Sequence, residues 1–468
     1  MPKHKASDNT WVVNDFAGVK LGDQRLVKRL QTIITDLSQH PATSIPEACG
    51  GWTKTKAAYR FFDNESVQAQ AIMDTHAQAT LQQVRGQKVV LCLQDTTTLN
   101  YSTHPQTKGL GPISNNRDKT LGLLLHSTLA ITPAGRPLGL LNAQVFARDG
   151  RKYGRSSMAR NALPLEQKES RKWLESHRVC QSLALQCPDT MLVNIADREG
   201  DIYDLFAQAL EVEPGWRVEL LVRAQHNRQV EHPQKYLWDF LSAQPVAGQL
   251  KIRVPRQTAQ PARLTTLVIR FTRVTLRSPC LKEERPPLGL WAVEAQEQHP
   301  PADSTSVCWR LLTTLPVTCL EEAVEKIRWY ARRWQIEVMH KVLKSGCQIE
   351  RRQLETVDRL KRLLMVDLVV AWRVMALCQA GRERPAGLAS DWLSSAEWQA
   401  LAACQNQGAA PTQPVPDIIQ AVRWIAQLGG FLARKGDGDP GPIVIWRGLR
   451  KLSALTEAWQ LLQNNKCG

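Results

Sequence analysis

At 468 residues the chain exceeds one ordinary domain, and with 43% hydrophobic residues it can bury a sizeable core. Its 60 Lys and Arg against 44 Asp and Glu leave a net charge of +16, an excess that points to a polyanionic partner. The 11 cysteines form no CxxC pair, which argues against a zinc site or disulfide framework and fits a reduced cytoplasmic protein. No GxxxxGK[ST] loop and no strand-borne GxGxxG is present, so ATP- or NAD-driven chemistry is not expected.

The first residues, MPKHKASDNTWVVNDF, contain no long apolar run and do not read as a secretory signal. Residues 1–85 read as helical. In LGDQRLVKRLQTIITDL, Asp23 is the expected N-cap, and Leu26, Leu30, Ile33 and Leu37 form one apolar stripe. Arg25, Lys28 and Arg29 lie off that stripe. The stretch KTKAAYRFF adds Lys54 and Arg60 to a cationic face. For any single one of these five, a solvated surface and a DNA contact are equally good readings.

From residue 86 the character changes. KVVLCLQD (88–95) is an apolar run ending in Asp95. LGLLLHSTLAI and RPLGLLNAQVF flank a turn at Thr132–Gly135 and predict a hairpin. A basic helical segment containing KESRKWLESH follows, and then TMLVNIAD (190–197), a second apolar strand ending in an aspartate, Asp197. Several β-rich runs occupy residues 216–315, and the pattern is helical again from 319 to about 380. LLMVDLVVAWRVMALCQA (363–380) is long enough to resemble a membrane span. Asp367 and Arg373 in mid-run make it a buried core helix instead. A Gly-, Pro-, Gln- and Ser-rich linker with a short helix at 391–402 leads to helical stretches at 418–434 and 453–463, either side of the loop KGDGDPGP.

A hydrophobic strand that delivers a carboxylate at its C-terminal end is how open α/β sheets build sites, although each Asp alone could equally be a cap or turn residue. The segment 319–352 supplies a third carboxylate. Ile327, Ala331, Trp334, Val338 and Val342 predict its buried stripe. Tyr330, Arg333, Glu337, Lys341 and Lys344 share an adjacent face. That face is either a solvated salt-bridge surface or a site. Three carboxylates can hold two Mg²⁺ ions, which activate a water or 3′-OH at a phosphodiester, and flanking cations can hold backbone phosphates.

The spacing Tyr330-xx-Arg333-xxx-Glu337-xxxxxx-Lys344 matches the Y-R-E-K signature of the IS4-type DDE transposases, and the chain most resembles their Tn5 (IS50) branch. The segments LGDQRLVKRL, AAYRFFDN, QDTTTLNY, DREGDIYDLF, LVRAQHNR, RRWQIEVMHK and LGGFLARK carry the resemblance nearly end to end. It implies an α/β fold: an RNase H-like catalytic core (86–380) with a β-rich insertion at about 216–315. Helical domains are implied on either side, an N-terminal one for DNA-end binding (1–85) and a C-terminal one for dimerisation (381–468). It further implies a cut-and-paste enzyme in which Asp95, Asp197 and Glu337 bind Mg²⁺, with Mn²⁺ as an alternative and two ions per site. Such an enzyme cleaves transposon ends by hydrolysis through a hairpin and joins the 3′-OH to target DNA.

By the same resemblance Tyr330, Arg333, Lys341, Lys344 and Arg223 contact end DNA. Trp309 matches a tryptophan that stacks on a flipped base, although a core tryptophan in a strand is the plainer reading among 15. Arg25, Lys28, Arg29, Lys54 and Arg60 are candidates for end recognition. The expected partners are double-stranded DNA and a second copy of the chain, in the bacterial cytoplasm at the nucleoid. The competing classes are a catalytically silent DNA-binding repressor or inhibitor derived from a transposase, and a nuclease that uses the same carboxylates without strand transfer.

Overall fold

A computed structural model describes residues 10–114, 120–150, 163–254, 262–279, 285–300, 306–383, 387–405 and 414–464. The N-terminal part is helical: α1 (Thr10–Phe16), α2 (Gln24–Gln39), α3 (Ile45–Cys49), α4 (Trp52–Asp63) and α5 (Ala69–Val84). Asp23 caps α2 as expected, accepting the Arg25 N–H at 2.7 Å. Leu30, Ile33 and Leu37 are buried and Leu26 partly so, with Val27 and Ile34 widening the stripe. Helix α5 departs from the expected division at residue 85. Its Thr80 hydroxyl reaches the Leu140 carbonyl at 3.2 Å, and His76 Nε2 accepts the Leu140 N–H, so α5 packs on the sheet as part of the core.

The described strands form one ten-stranded sheet. They are β1 (Val89–Asn100), β2 (Gly111–Pro112), β3 (Leu121–Ile131), β4 (Pro137–Phe146), β5 (Met191–Ala196), β6 (Glu219–Arg223), β7 (Gly248–Val254), β8 (Arg263–Leu276), β9 (Leu288–Glu297) and β10 (Cys308–Thr313). The order is β2-β3-β1-β5-β6-β10-β9-β8-β7, with β4 also paired to β3. Strands β4, β3 and β1 run antiparallel, while β5 and β6 continue parallel to β1. That is the RNase H-like order. The β-rich insertion is no separate module. Its first strand, β6, belongs to the parallel core, and β10, β9, β8 and β7 extend the same sheet by an antiparallel meander.

The hairpin predicted at Thr132–Gly135 forms, closed by Thr132 N–H to the Arg136 carbonyl at 2.9 Å. Gly135 has φ +104°, a left-handed conformation for which the turn requires glycine. The basic stretch at 151–162 lies outside the described residues, and helix α6 (Arg171–Ala184) follows it. Side chains alternate across the sheet. Leu91 and Leu93 join one core cluster with Ile336 and Met339, while Val90 and Cys92 join another with Cys180 and Leu183 of α6.

Helices α7 (Tyr203–Leu210) and α8 (Leu237–Ser242) complete the core around β6 to β9. After the sheet come α9 (Leu320–Ala331), α10 (Trp334–Lys341), a π-helical turn at Val342–Gly346 and α11 (Val357–Glu383). Helix α11 has the length and hydropathy of a membrane span, but 83% of that window is buried inside the protein. Its charges are satisfied internally. Asp367 pairs with Arg352 at 3.0 Å, and the Arg373 guanidinium lies 4.2 Å from the Trp11 ring and 5.0 Å from the Trp392 ring. Arg362 of α11 donates to the carbonyls of Val67 and Phe62, tying the N-terminal helices to it. The expected boundary at 380–381 falls inside α11, which leads on to α12 (Ser395–Gln405), α13 (Ile418–Leu428) and α14 (Pro442–Asn464).

Candidate functional site

The two aspartates meet through strand register. Parallel pairing of β1 and β5 ends at Leu93 opposite Ile195. Asp95 and Asp197 each lie two residues further on, so equal offsets bring them to the same end of adjacent strands. Asp95 does not end its strand as the apolar run suggests. β1 continues to Asn100, held by β3, and Asp95 stands where its β5 neighbour stops. Asp197 caps a short 3-10 turn at Arg198–Gly200 and accepts the Glu199 N–H at 2.9 Å.

Glu337 reaches this edge from α10, with its side chain 54% exposed. The segment 319–352 is not the single regular helix that the stripe implies. Tight i→i−3 bonds at Arg332, Arg333, Gln335 and Ile336 separate α9 from α10, and the π turn unwinds the segment again at Val342–Gly346. Each change of winding rotates the side chains that follow it. Trp334, expected in the buried stripe, follows the first change and is 56% exposed; Tyr330, expected beside the stripe, precedes it and is buried. Ile336, Met339 and His340 take the inward positions.

Arg333 stands between the carboxylates. It is ion-paired with Glu337, and its Nη1 lies 3.8 Å from Asp95 Oδ2. Burial pushes the Asp95 carboxyl up to about 7; Arg333 opposes this, and the charges of Asp197 and Glu337 add to it. These mutual effects place the three carboxylates in one electrostatic neighbourhood. Their donor set is all oxygen, suited to a hard divalent cation, whose charge would favour the ionised Asp95 that burial disfavours. The residues fit such an ion in chemistry. Among the described residues no three potential ligands are yet gathered on one point.

The remaining nominated groups fall into two sets. Arg223, at the end of β6, donates to the Cys308 carbonyl at 3.1 Å, and its charge acts on the Tyr330 phenol. The Tyr330 phenol is pushed up by burial, and its ring meets that of Trp309 edge-on at 5.5 Å. Trp309, Arg223, Tyr330 and Arg333 thus form a continuous wall leading to the carboxylates. Lys341 is exposed at the end of α10. Lys344 sits in the π turn, its pKa lowered by burial against the pull of Glu350, whose carboxylate accepts the Asn100 N–H. The N-terminal cations form the second set, on α2 and α4. Arg25 is exposed beside Asp23, Lys28 and Arg60 are exposed, and Arg29 is half-buried. Lys54 is paired with Asp36 at 2.9 Å.

Two features escape a reading of the sequence. Asp201, fully buried, accepts the N–H groups of Gln225 and His226 and pairs with Arg228 at 2.7 Å, locking the loop after Arg223. DREGDIYDLF and LVRAQHNR contain the partners, but nothing in either announces the contact. The other is the exposed Trp334, an aromatic surface beside Arg333 that regular helical spacing turns inward.

The transposase DNA-binding family model matches residues 8–67, the transposase DDE domain model residues 143–372, and the transposase Tn5 dimerisation domain model residues 369–464. Among solved structures, a piggyBac transposase synaptic complex with hairpin DNA is similar at 9% identity and a TM-score of 0.35, covering 97% of this chain and 77% of that one.

Proposed function

The chain belongs to the Tn5-like DDE transposases, and we propose that it excises its element by cutting at the transposon ends through a hairpin and joins the freed 3′-OH ends to target DNA. The observation that supports this reading is that Asp95 and Asp197 share one end of adjacent parallel strands, with Arg333 reaching both Asp95 and Glu337. Asp95, Asp197 and Glu337 would hold Mg²⁺ or Mn²⁺, two ions per site, which would supply an activated water or 3′-OH and stabilise the leaving oxygen. Arg333 pairs with Glu337 and approaches Asp95 in the free chain and would turn to a backbone phosphate when DNA arrives. Arg223, Lys341 and Lys344 would bind further phosphates and fix the scissile strand. Tyr330, beside Arg223, would present its hydroxyl to the same strand. Trp309 and Trp334 offer rings on which an unpaired base could stack.

Arg25, Lys28, Arg29, Lys54 and Arg60 would serve end recognition, with two copies of the chain paired through their C-terminal helices. The basic charge and the DNA partner favour the bacterial cytoplasm and its nucleoid. The test uses short duplexes carrying the terminal repeats that flank the gene, incubated with purified protein and Mg²⁺ and run on a denaturing gel. Nicking at the terminal nucleotide followed by a hairpin is the expected result. Binding with no cleavage in Mg²⁺ or Mn²⁺ would favour the silent repressor, and cleavage without a hairpin would refute this pathway.

A further inference from the structure

His340 lies one turn beyond Glu337, yet its ring is only 5% exposed. The antiparallel register of β1 and β3 sets Ser127 directly opposite Asp95, so both side chains rise from the same sheet face. His340 descends from α10 onto that face. Its Nε2 lies 2.9 Å from Ser127 Oγ, and its Nδ1 lies 3.9 Å from Asp95 Oδ2. Ser127 is fully buried, so no water competes for the bond. Either tautomer keeps the bond to Ser127, and Nδ1 faces the Asp95 carboxylate.

Helix α10 needs such a pin. It has eight residues, bounded by the tight turn at Arg332–Arg333 on one side and the π turn on the other. The ladder tightens to i→i−3 bonds before α10 and widens in the π turn after it, so tertiary contacts help to set the rotation of α10 and with it the place of Glu337. We propose that Ser127 and His340 are positioning residues: their buried hydrogen bond fixes α10 on the β1–β3 pair and sets Glu337 and Asp95 at the separation a shared cation requires. This rests on the reading of those carboxylates as metal ligands. Groups that orient ligands from behind are worth about 10–100-fold in metal affinity.

The test uses the full-length protein bound to a pre-cleaved end duplex. Mn²⁺ binding is followed by the electron paramagnetic resonance signal of the free ion, corrected for DNA alone, and end affinity is measured in parallel. Ser127→Ala should raise the half-saturating Mn²⁺ concentration about 10-fold, with the end-DNA Kd unchanged within about 2-fold. His340→Gln, whose carboxamide can still reach Ser127, should lose less than His340→Ala. The Ser127→Ala/His340→Ala pair should lose no more than His340→Ala alone. Unchanged Mn²⁺ binding in Ser127→Ala and His340→Ala, with Asp95→Ala having lost it, would overturn the positioning role and leave the ligand reading standing. A drop in their thermal stability with half-saturation unmoved would overturn that role in the same way. Unchanged binding in Asp95→Ala would overturn the ligand reading and the proposal with it.

Discussion

Removing the Arg352 guanidinium tests how the site is anchored to the rest of the molecule. Asp367 is fully buried in α11 and accepts two N–H bonds from Arg352, at 3.0 and 3.2 Å. The same guanidinium donates to the Thr43 carbonyl, and Arg352 directly follows the 3-10 turn that carries Glu350. One group therefore ties the N-terminal helices, α11 and the segment beyond Lys344 together. Arg352→Met leaves a buried carboxylate without its partner, which costs about 3–5 kcal/mol. Even with Arg352 in place, burial holds the Asp367 carboxyl above its ordinary value, and losing the cation moves it higher.

The folded variant then keeps a proton that the unfolded chain releases above about pH 3.9. Stability must therefore fall as pH rises toward the folded-state pKa, by up to about 1.4 kcal/mol per pH unit. Urea denaturation at pH 8 and at pH 5 should show a large deficit that narrows in acid, and Arg352→Met/Asp367→Leu should recover most of it. A deficit at pH 8 below about 1 kcal/mol, where an exposed pair would fall, would refute the anchoring role. So would a deficit equal at both pH values.

Lys344→Ala should weaken end binding and lower the slope of log K against log salt by about one unit, measured by filter binding across salt; an unchanged slope would mean that Lys344 only solvates its turn. Gly448→Ala would set a Cβ 1.8 Å from the Ile425 carbonyl oxygen where α14 crosses α13, so the two helices must separate. Overpacking of this kind costs about 1–3 kcal/mol, and weakened self-association by sedimentation should accompany the loss if these helices form the dimer surface. Burial lowers His76 and His177 to about 4 and holds His126 well below its ordinary value. Each is neutral when folded, so the unfolded chain binds more protons between about pH 6.5 and 4. The contribution of these three should be flat above that window and fall through it as pH drops, each adding up to one proton taken up on unfolding, against the opposite slope from Asp95, which keeps its proton in the folded chain up to about pH 7.

Much of this architecture is legible in the residues. Asp23 as a cap, the turn at Thr132–Gly135, and the charges inside 363–380 are local signals, and local chemistry decides them. The candidate carboxylate set is suggested in the sequence because two apolar strands end near aspartates and because the spacing from Tyr330 to Lys344 is distinctive. What escapes is set by tertiary packing. Nothing local to Arg332–Arg333 announces a break in winding, so regular spacing turns Trp334 inward, the reverse of what the fold does; Tyr330, before the break, is buried with its ring against Trp309. The insertion strands alternate like those of a separate β unit, and only the pairing of β10 with β6 shows that they extend the core sheet. Ser127 and His340 are 213 residues apart, and their contact follows from the β1–β3 register and the rotation of α10 together.

The central claim is that Glu337 binds a catalytic cation and not DNA. Glu337→Gln keeps the size of the side chain and removes its charge. End-duplex affinity and single-turnover cleavage should be measured on this variant beside the unaltered protein. Retained binding with cleavage lost in Mg²⁺ is the predicted result. Cleavage near the unaltered rate would remove Glu337 from the site and contradict the account.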